Sequence, residues 1–178
     1  YSYHQTSLLS ECPPKNIKYC SGIRKLKLNI SSGLSISDGS EPGHHYLNEM
    51  NCRFDVTAPS GYFVEVTFPT FNLENANEVY LLCSNDYLEI NGKKYCGTNG
   101  PSNLLLEPPF SIHFKSDKSK TNFGFSGRLK LVDKAEKNIK DCGMHKTCGG
   151  CLSETVTDCA WCASSHTCLA SFKKDTCF

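Results

Sequence analysis

The chain has 178 residues, 39 % of them apolar, and 19 basic against 18 acidic side chains give a formal net charge of +1. It can therefore bury a real core, and its near-neutral balance excludes a case from net charge for nucleic acid or a membrane surface as partner. Twelve cysteines, an even number, argue against a reducing compartment, where thiols are kept free.

The first segment, Tyr1 to Glu11, is polar and lacks the basic-then-apolar layout of a signal peptide, and no apolar run reaches the roughly 20 residues that span a bilayer. The reading is a mature ectodomain or part of one, secreted or displayed outside the cell. Lys25, Lys27 and Asn29 alternate with Leu26, Leu28 and Ile30, a period-2 strand pattern. Asn29-Ile30-Ser31 is an N-glycosylation triplet, with Asn29 as the acceptor. Tyr62 to Phe68 is β-branched and aromatic. Tyr87-Leu-Glu-Ile90 runs into Asn91-Gly92, a strong hairpin signal, and on to Lys93-Lys-Tyr95. Phe110 to Phe114 and Phe125 to Leu131 alternate again. No segment carries a sustained helical period, so residues 20–133 read as an all-β sandwich or barrel.

The cysteines divide the chain. Residues 1–133 hold Cys12, Cys20, Cys52, Cys83 and Cys96, and residues 142–177 hold seven more. Between them, Asp133 to Asp141 is a charged run with three positive and three negative groups, read as a soft linker over residues 134–141. Residues 1–19 form an N-terminal segment. Residues 142–178 are too few to build a core of their own and must replace it with cross-links.

Several pieces of residues 20–133 occur together in one order. They are Gly33-Leu-Ser-Ile-Ser37, Tyr46 before Cys52, Phe54-Asp-Val56, Val64-Glu-Val-Thr-Phe-Pro-Thr-Phe-Asn-Leu-Glu74, Cys83-Ser-Asn-Asp-Tyr-Leu-Glu-Ile90, Tyr95-Cys96-Gly97, Phe114-Lys-Ser-Asp117 and Gly124-Phe125. In this order they resemble the CUB domain, an antiparallel β-sandwich. The resemblance implies the disulfides Cys20–Cys52 and Cys83–Cys96, the former contributing roughly 3–4 kcal/mol in the chain-entropy picture. The chain departs from the family at Gly39 to Gly43, which replaces a Pro-x-Tyr-Pro segment, and at Phe54, where a Trp is usual. Asp141-Cys142, Thr147-Cys148, Cys151-Leu152 and Cys159-Ala-Trp-Cys162, followed by Cys168 and Cys177, resemble the plexin–semaphorin–integrin (PSI) domain. That resemblance implies Cys142–Cys159, Cys151–Cys168 and Cys162–Cys177, with Trp161 packed on the disulfides as the one large core side chain. Cys12 and Cys148 are left over. Some members with seven cysteines pair the second one with a distant part of the chain, so a Cys12–Cys148 bridge is expected.

Calcium-binding CUB domains are similar to this chain at Glu74, Asp86 and Asp117. The resemblance implies calcium as cofactor there, with acidic oxygens presented to a Lys or Arg of an extracellular protein partner. Three carboxylates brought together repel one another, and a hard cation with oxygen ligands relieves that repulsion. Carbonyls from Asp117 to Asn122 and water are expected to complete the shell. The interval from Glu74 to Asp86 is long, which makes Glu78 a competitor for Glu74. The family's supporting N-terminal Tyr has no counterpart, since Ser32 precedes Gly33.

Other readings are weaker. Cys148-Gly-Gly-Cys151 and Cys159-Ala-Trp-Cys162 could in principle ligate zinc, but only seven residues separate them and three further cysteines would have no role. No βαβ pattern supports redox chemistry. No hydrolase or metalloprotease motif appears, so the chain is read as non-enzymatic. His44-His45 lies in a Gly/Pro/Ser-rich loop and reads as solvated. Arg24-Lys25-Leu26-Lys27, with Lys15 and Lys18, reads as the wet face of an outer strand in preference to a polyanion site. The expected function is an extracellular recognition or adhesion module. The alternatives are a spacer within a receptor and a non-catalytic, regulatory part of a secreted enzyme.

Overall fold

The structure, a computed structural model, describes residues 18–31, 33–76, 82–153, 158–171, 173 and 177. Most of it is strand. β1 (Gly22–Lys27), β3 (Asn51–Thr57), β8 (Phe110–Lys115), β5 (Tyr87–Ile90) and β6 (Lys93–Tyr95) form one sheet in that order. β2 (Leu34–Ser37), β9 (Gly124–Asp133), β4 (Tyr62–Asn72) and β7 (Leu104–Leu106) form a second. All pairings are antiparallel except the edge strand β1, which runs parallel to β3.

The two inner faces carry the core. Phe54, Val56, Leu88, Ile112 and Phe114 face Ile36, Val64, Val66 and Leu129, all buried. Asn91 and Gly92 take φ of 49° and 77°, the doubly left-handed turn that matches the twist of a two-residue hairpin. Pro69 sits where β4 carries one extra residue between Thr67 and Thr70 against β9, so its missing N–H breaks no regular ladder. The alternation of the first strand holds through buried Leu28 but fails at Ile30, which is 74 % exposed because β1 ends at Lys27 and a turn begins.

The soft linker expected at residues 134–141 is instead a helix, α1 (Lys134–Gly143), which continues directly from β9. Asp133 caps it, its side chain accepting from the N–H groups of Ala135 and Glu136 at 2.8 and 3.1 Å. Lys134, Ala135, Glu136 and Lys137 are strong helix formers, and Asp133-x-x-Glu136 is a capping-box signal that the charge run disguised. α1 packs on β11 (Thr167–Ala170), which pairs with β10 (Cys159–Cys162); the short α2 (Cys148–Cys151) completes the second unit. Its core is Cys142, Cys151, Cys168 and Ala170, with Trp161 partly buried against them.

Disulfides join Cys20 to Cys52, Cys83 to Cys96, Cys142 to Cys159, Cys151 to Cys168 and Cys162 to Cys177. Cys151, Cys159 and Cys162 are thereby consumed, which removes the zinc reading of the two C-x-x-C pairs. Cys148 is exposed and has no disulfide partner among the described residues, and Cys12, its expected partner, lies outside them. Asn29 is exposed between β1 and β2.

Candidate functional site: an acidic cluster at one end of the sandwich

Strand register places the carboxylates. β5 and β8 are neighbours, with Tyr87 opposite Lys115. The residues just outside that pair, Asp86 before β5 and Asp117 shortly after β8, therefore meet at the same end of the sheet. The Asp117 N–H donates to Asp86 Oδ1 at 2.7 Å. Glu74 arrives from the other sheet, two residues past the end of β4. Its carbonyl accepts from Gly97 N–H, and Leu73 N–H donates to the Gly97 carbonyl, so the chain leaving β4 is laced to the loop after β6. The Cys83–Cys96 disulfide ties that same loop to the approach to Asp86.

One oxygen from each of Glu74, Asp86 and Asp117 can be chosen so that all three lie within 4.8 Å of one another. Glu74 and Asp86 are 8 % and 1 % exposed. At an effective dielectric of about 20, each pair of full charges at such a distance costs about 3 kcal/mol or more. The electrostatic consequence is direct. Burial, reinforced by the other two carboxylates, pushes the Glu74 carboxyl above the usual range, although a hydrogen bond from Asn85 opposes it. Burial also raises Asp86, against hydrogen bonds from Tyr46 and from the Asp117 backbone.

Tyr46 is the residue that the sequence did not assign to the site. Its hydroxyl donates to Asp86 Oδ2 at 2.5 Å and accepts from Glu74 N–H at 3.0 Å. The ring packs edge-on to Phe114 at 5.4 Å, and its own N–H donates to the Asn122 carbonyl. Burial and the Asp86 charge hold the phenol well above its ordinary range, so it remains a donor. Its supporting hydroxyl comes from the segment before Cys52, whereas sequence reasoning sought a tyrosine next to Gly33. Its signal was its place before Cys52 in the CUB resemblance, to which no role at the acidic end was attached.

Not every oxygen is used. Glu74 Oε2 is buried without a hydrogen-bond partner, and Lys120 Nζ is 3.9 Å from the other oxygen on a side chain that is 81 % exposed. An orphaned carboxylate oxygen facing two more carboxylates is a donor set suited to a hard divalent cation. The carbonyls of Asp117, Lys118 and Asn122 each already accept one hydrogen bond, from Glu49, Asn48 and Tyr46, which leaves a second lone pair on each. Glu78 lies outside the described residues. His44 is exposed, while His45, also exposed, stacks edge-on to Phe123 at 4.7 Å and makes no contact with the carboxylates among those described.

Comparison with known proteins agrees with this architecture. The CUB domain family model matches residues 27–129. A suppressor of tumorigenicity 14 protein homolog from Bos taurus is 37 % identical over 94 residues, covering 52 % of this chain and 11 % of that protein. The exoskeleton protein RP43 of Riftia pachyptila is 30 % identical over 130 residues, covering 67 % of this chain and 30 % of RP43. The chain thus spans less than a third of either relative. Among solved structures, the MASP-1 CUB2 domain bound to Ca2+ superposes with a TM-score of 0.51 at 24 % identity, covering 62 % of this chain and 99 % of that one, a likeness of fold. Residues 27–129, with their two β-sheets and the acidic end they build, make this chain a member of the CUB domain family, whose domains are typically non-catalytic binding modules.

Proposed function

We propose that the chain is an extracellular protein-recognition module whose binding end is organised by calcium at Glu74, Asp86 and Asp117. The observation that carries this reading is the buried, unpartnered Glu74 Oε2 beside two further carboxylates. Calcium there would neutralise the cluster and fix the loops that supply it. Tyr46 holds Asp86 and the Glu74 backbone in place, and the half-buried Asp117 carboxylate presents negative charge to a Lys or Arg of the partner. The rigid frame keeps those loops in place before binding, which lowers the entropy lost on association. The calcium-bound MASP-1 domain of like fold supports the same reading.

Residues 142–178 complete the proposal as a PSI-type unit, supported by three closely spaced disulfides around Trp161. The helical junction at α1 favours a second role, as a spacer that sets the direction of the sandwich within a longer protein. A place beside a protease is a third reading, since one relative, 31 % identical over 135 residues, is the zinc metalloproteinase nas-39. A Cys12–Cys148 bridge and a glycan on Asn29 belong to the same extracellular reading. Non-reducing peptide mapping and mass spectrometry of secreted protein test them.

Thermal unfolding tests the calcium site. At a hundredfold excess over Kd, calcium adds about 2.7 kcal/mol to the folded state, or roughly 5–10 °C in Tm for a chain of this size. Magnesium, smaller and slower to shed water, should give less. No shift with millimolar calcium overturns the proposal.

A further inference from the structure

The outer face of the five-stranded sheet takes no part in the acidic site, and its register assembles charges that are scattered along the chain. Pairing places Ile23, Arg53, His113, Glu89 and Lys94 in one row across all five strands. Lys25 stands beside Asp55 in the next row, and Lys115 beside Tyr87 on the other side. Strand alternation turns the core residues inward and these side chains outward. With Lys27 at the end of β1, the face carries five exposed cations from four strands: Lys25, Lys27, Arg53, Lys94 and Lys115.

Among the described residues of this face, two carboxylates, Asp55 and Glu89, oppose them. Asp55 pairs with Arg53 at 2.7 Å. Glu89 lies between His113 and Lys94 in its row. Lys94 sits 3.8 Å above the Tyr87 ring, and His113 is held by Asn51 at 2.7 Å. A shallow trough of about 590 Å³ runs along the centre of the face. The net charge of +1, the balance of 19 basic and 18 acidic side chains over the whole chain, does not reveal this asymmetry.

We propose that this face is the docking surface for a sulfated glycosaminoglycan chain. Neighbouring strands are about 4.8 Å apart and outward residues along a strand roughly 7 Å apart, so the cations form a lattice nearly 20 Å wide. An extended polyanion with closely repeated sulfates meets several of them at once. Each contact is weak, and the sum is favourable through released counterions. A protein partner would need apolar anchors, and Ile23 is the one large apolar side chain exposed on this face among the described residues. Single-stranded nucleic acid would stack on open aromatics, and Tyr87 is covered by Lys94. This inference rests on the extracellular reading proposed above, which the disulfides support.

The test is retention on immobilised heparin, with titration of a heparin-derived oligosaccharide. The intact chain should be retained at about 0.15 M salt and released as salt rises. Replacing Lys25, Lys94 and Lys115 together by Gln should weaken binding roughly tenfold or more and flatten its salt dependence, at unchanged Tm. The matching change of Lys130, Lys137 and Lys140, which line a groove between the other sheet and α1, should leave retention as it was. A chelator should have no effect, which separates this proposal from the calcium reading. Loss of retention at physiological salt in the intact chain overturns it. Equal loss in both triple variants, or binding of unsulfated hyaluronan or duplex DNA as tight as that of heparin, does so as well.

Discussion

The Tyr46 hydroxyl donates to the Asp86 carboxylate and accepts from the Glu74 backbone N–H, so one buried oxygen joins two of the three residues that define the acidic end. The two arrive from different sheets, and the phenol is the direct polar link between them.

Removing that oxygen is the first prediction. Tyr46→Phe keeps the ring against Phe114 and leaves Asp86 Oδ2 and Glu74 N–H without a partner. Chemical denaturation should show a loss of about 2 kcal/mol. Calcium affinity should fall at the same time, because Asp86 is no longer held in place.

The second prediction concerns pH in the presence of a chelator. Glu74 and Asp86 have carboxyl pKa values raised in the folded state, chiefly by burial. A raised carboxyl binds its proton more tightly when folded, so its stabilising contribution is fully present below the unfolded pKa. It is lost as pH rises through the higher folded value. Tm should therefore rise as pH is lowered from neutral toward the ordinary carboxylate range. Asp86→Asn should flatten this response, and calcium should bind more weakly across the same interval because protons compete for the same oxygens.

The third prediction tests a close approach. Gly124 has φ of +79°, and a Cβ there would lie 2.1 Å from Asp38 Oδ2, whose carboxylate accepts from the Phe125 N–H at 2.6 Å. Asp38 is itself 1 % exposed and cannot move aside. Gly124→Ala should destabilise the sandwich by about 3 kcal/mol or more, read as a lowered denaturation midpoint.

The fourth prediction addresses the junction. Asp133→Ala removes the cap of α1 and should cost about 1 kcal/mol. α1 packs on β11, so protease sensitivity should rise in residues 134–143 before it does in the sandwich.

The strands and the hairpin were readable because alternation and Asn91-Gly92 are local signals. α1 was misread because half of its residues are charged, and the capping pair Asp133 and Glu136 was read as part of a soft, charged linker. The acidic cluster is not a local signal: Glu74, Asp86 and Asp117 became neighbours only through the pairing of β5 with β8 and the lacing of Leu73 and Glu74 to Gly97. Resemblance could name those three residues. It could not reveal that Tyr46 supplies the supporting hydroxyl. The cationic face was likewise invisible in order of sequence, where Lys25, Arg53, Lys94 and Lys115 stand far apart, and it emerges only from register.

Calcium titration by calorimetry tests the central claim most directly. The intact chain should bind one calcium ion per molecule at the acidic end, and Asp86→Ala and Asp117→Ala should each abolish the heat of binding while the fold, read by circular dichroism, persists. Absence of binding in the intact chain at millimolar calcium, or binding that survives both substitutions, would contradict the account.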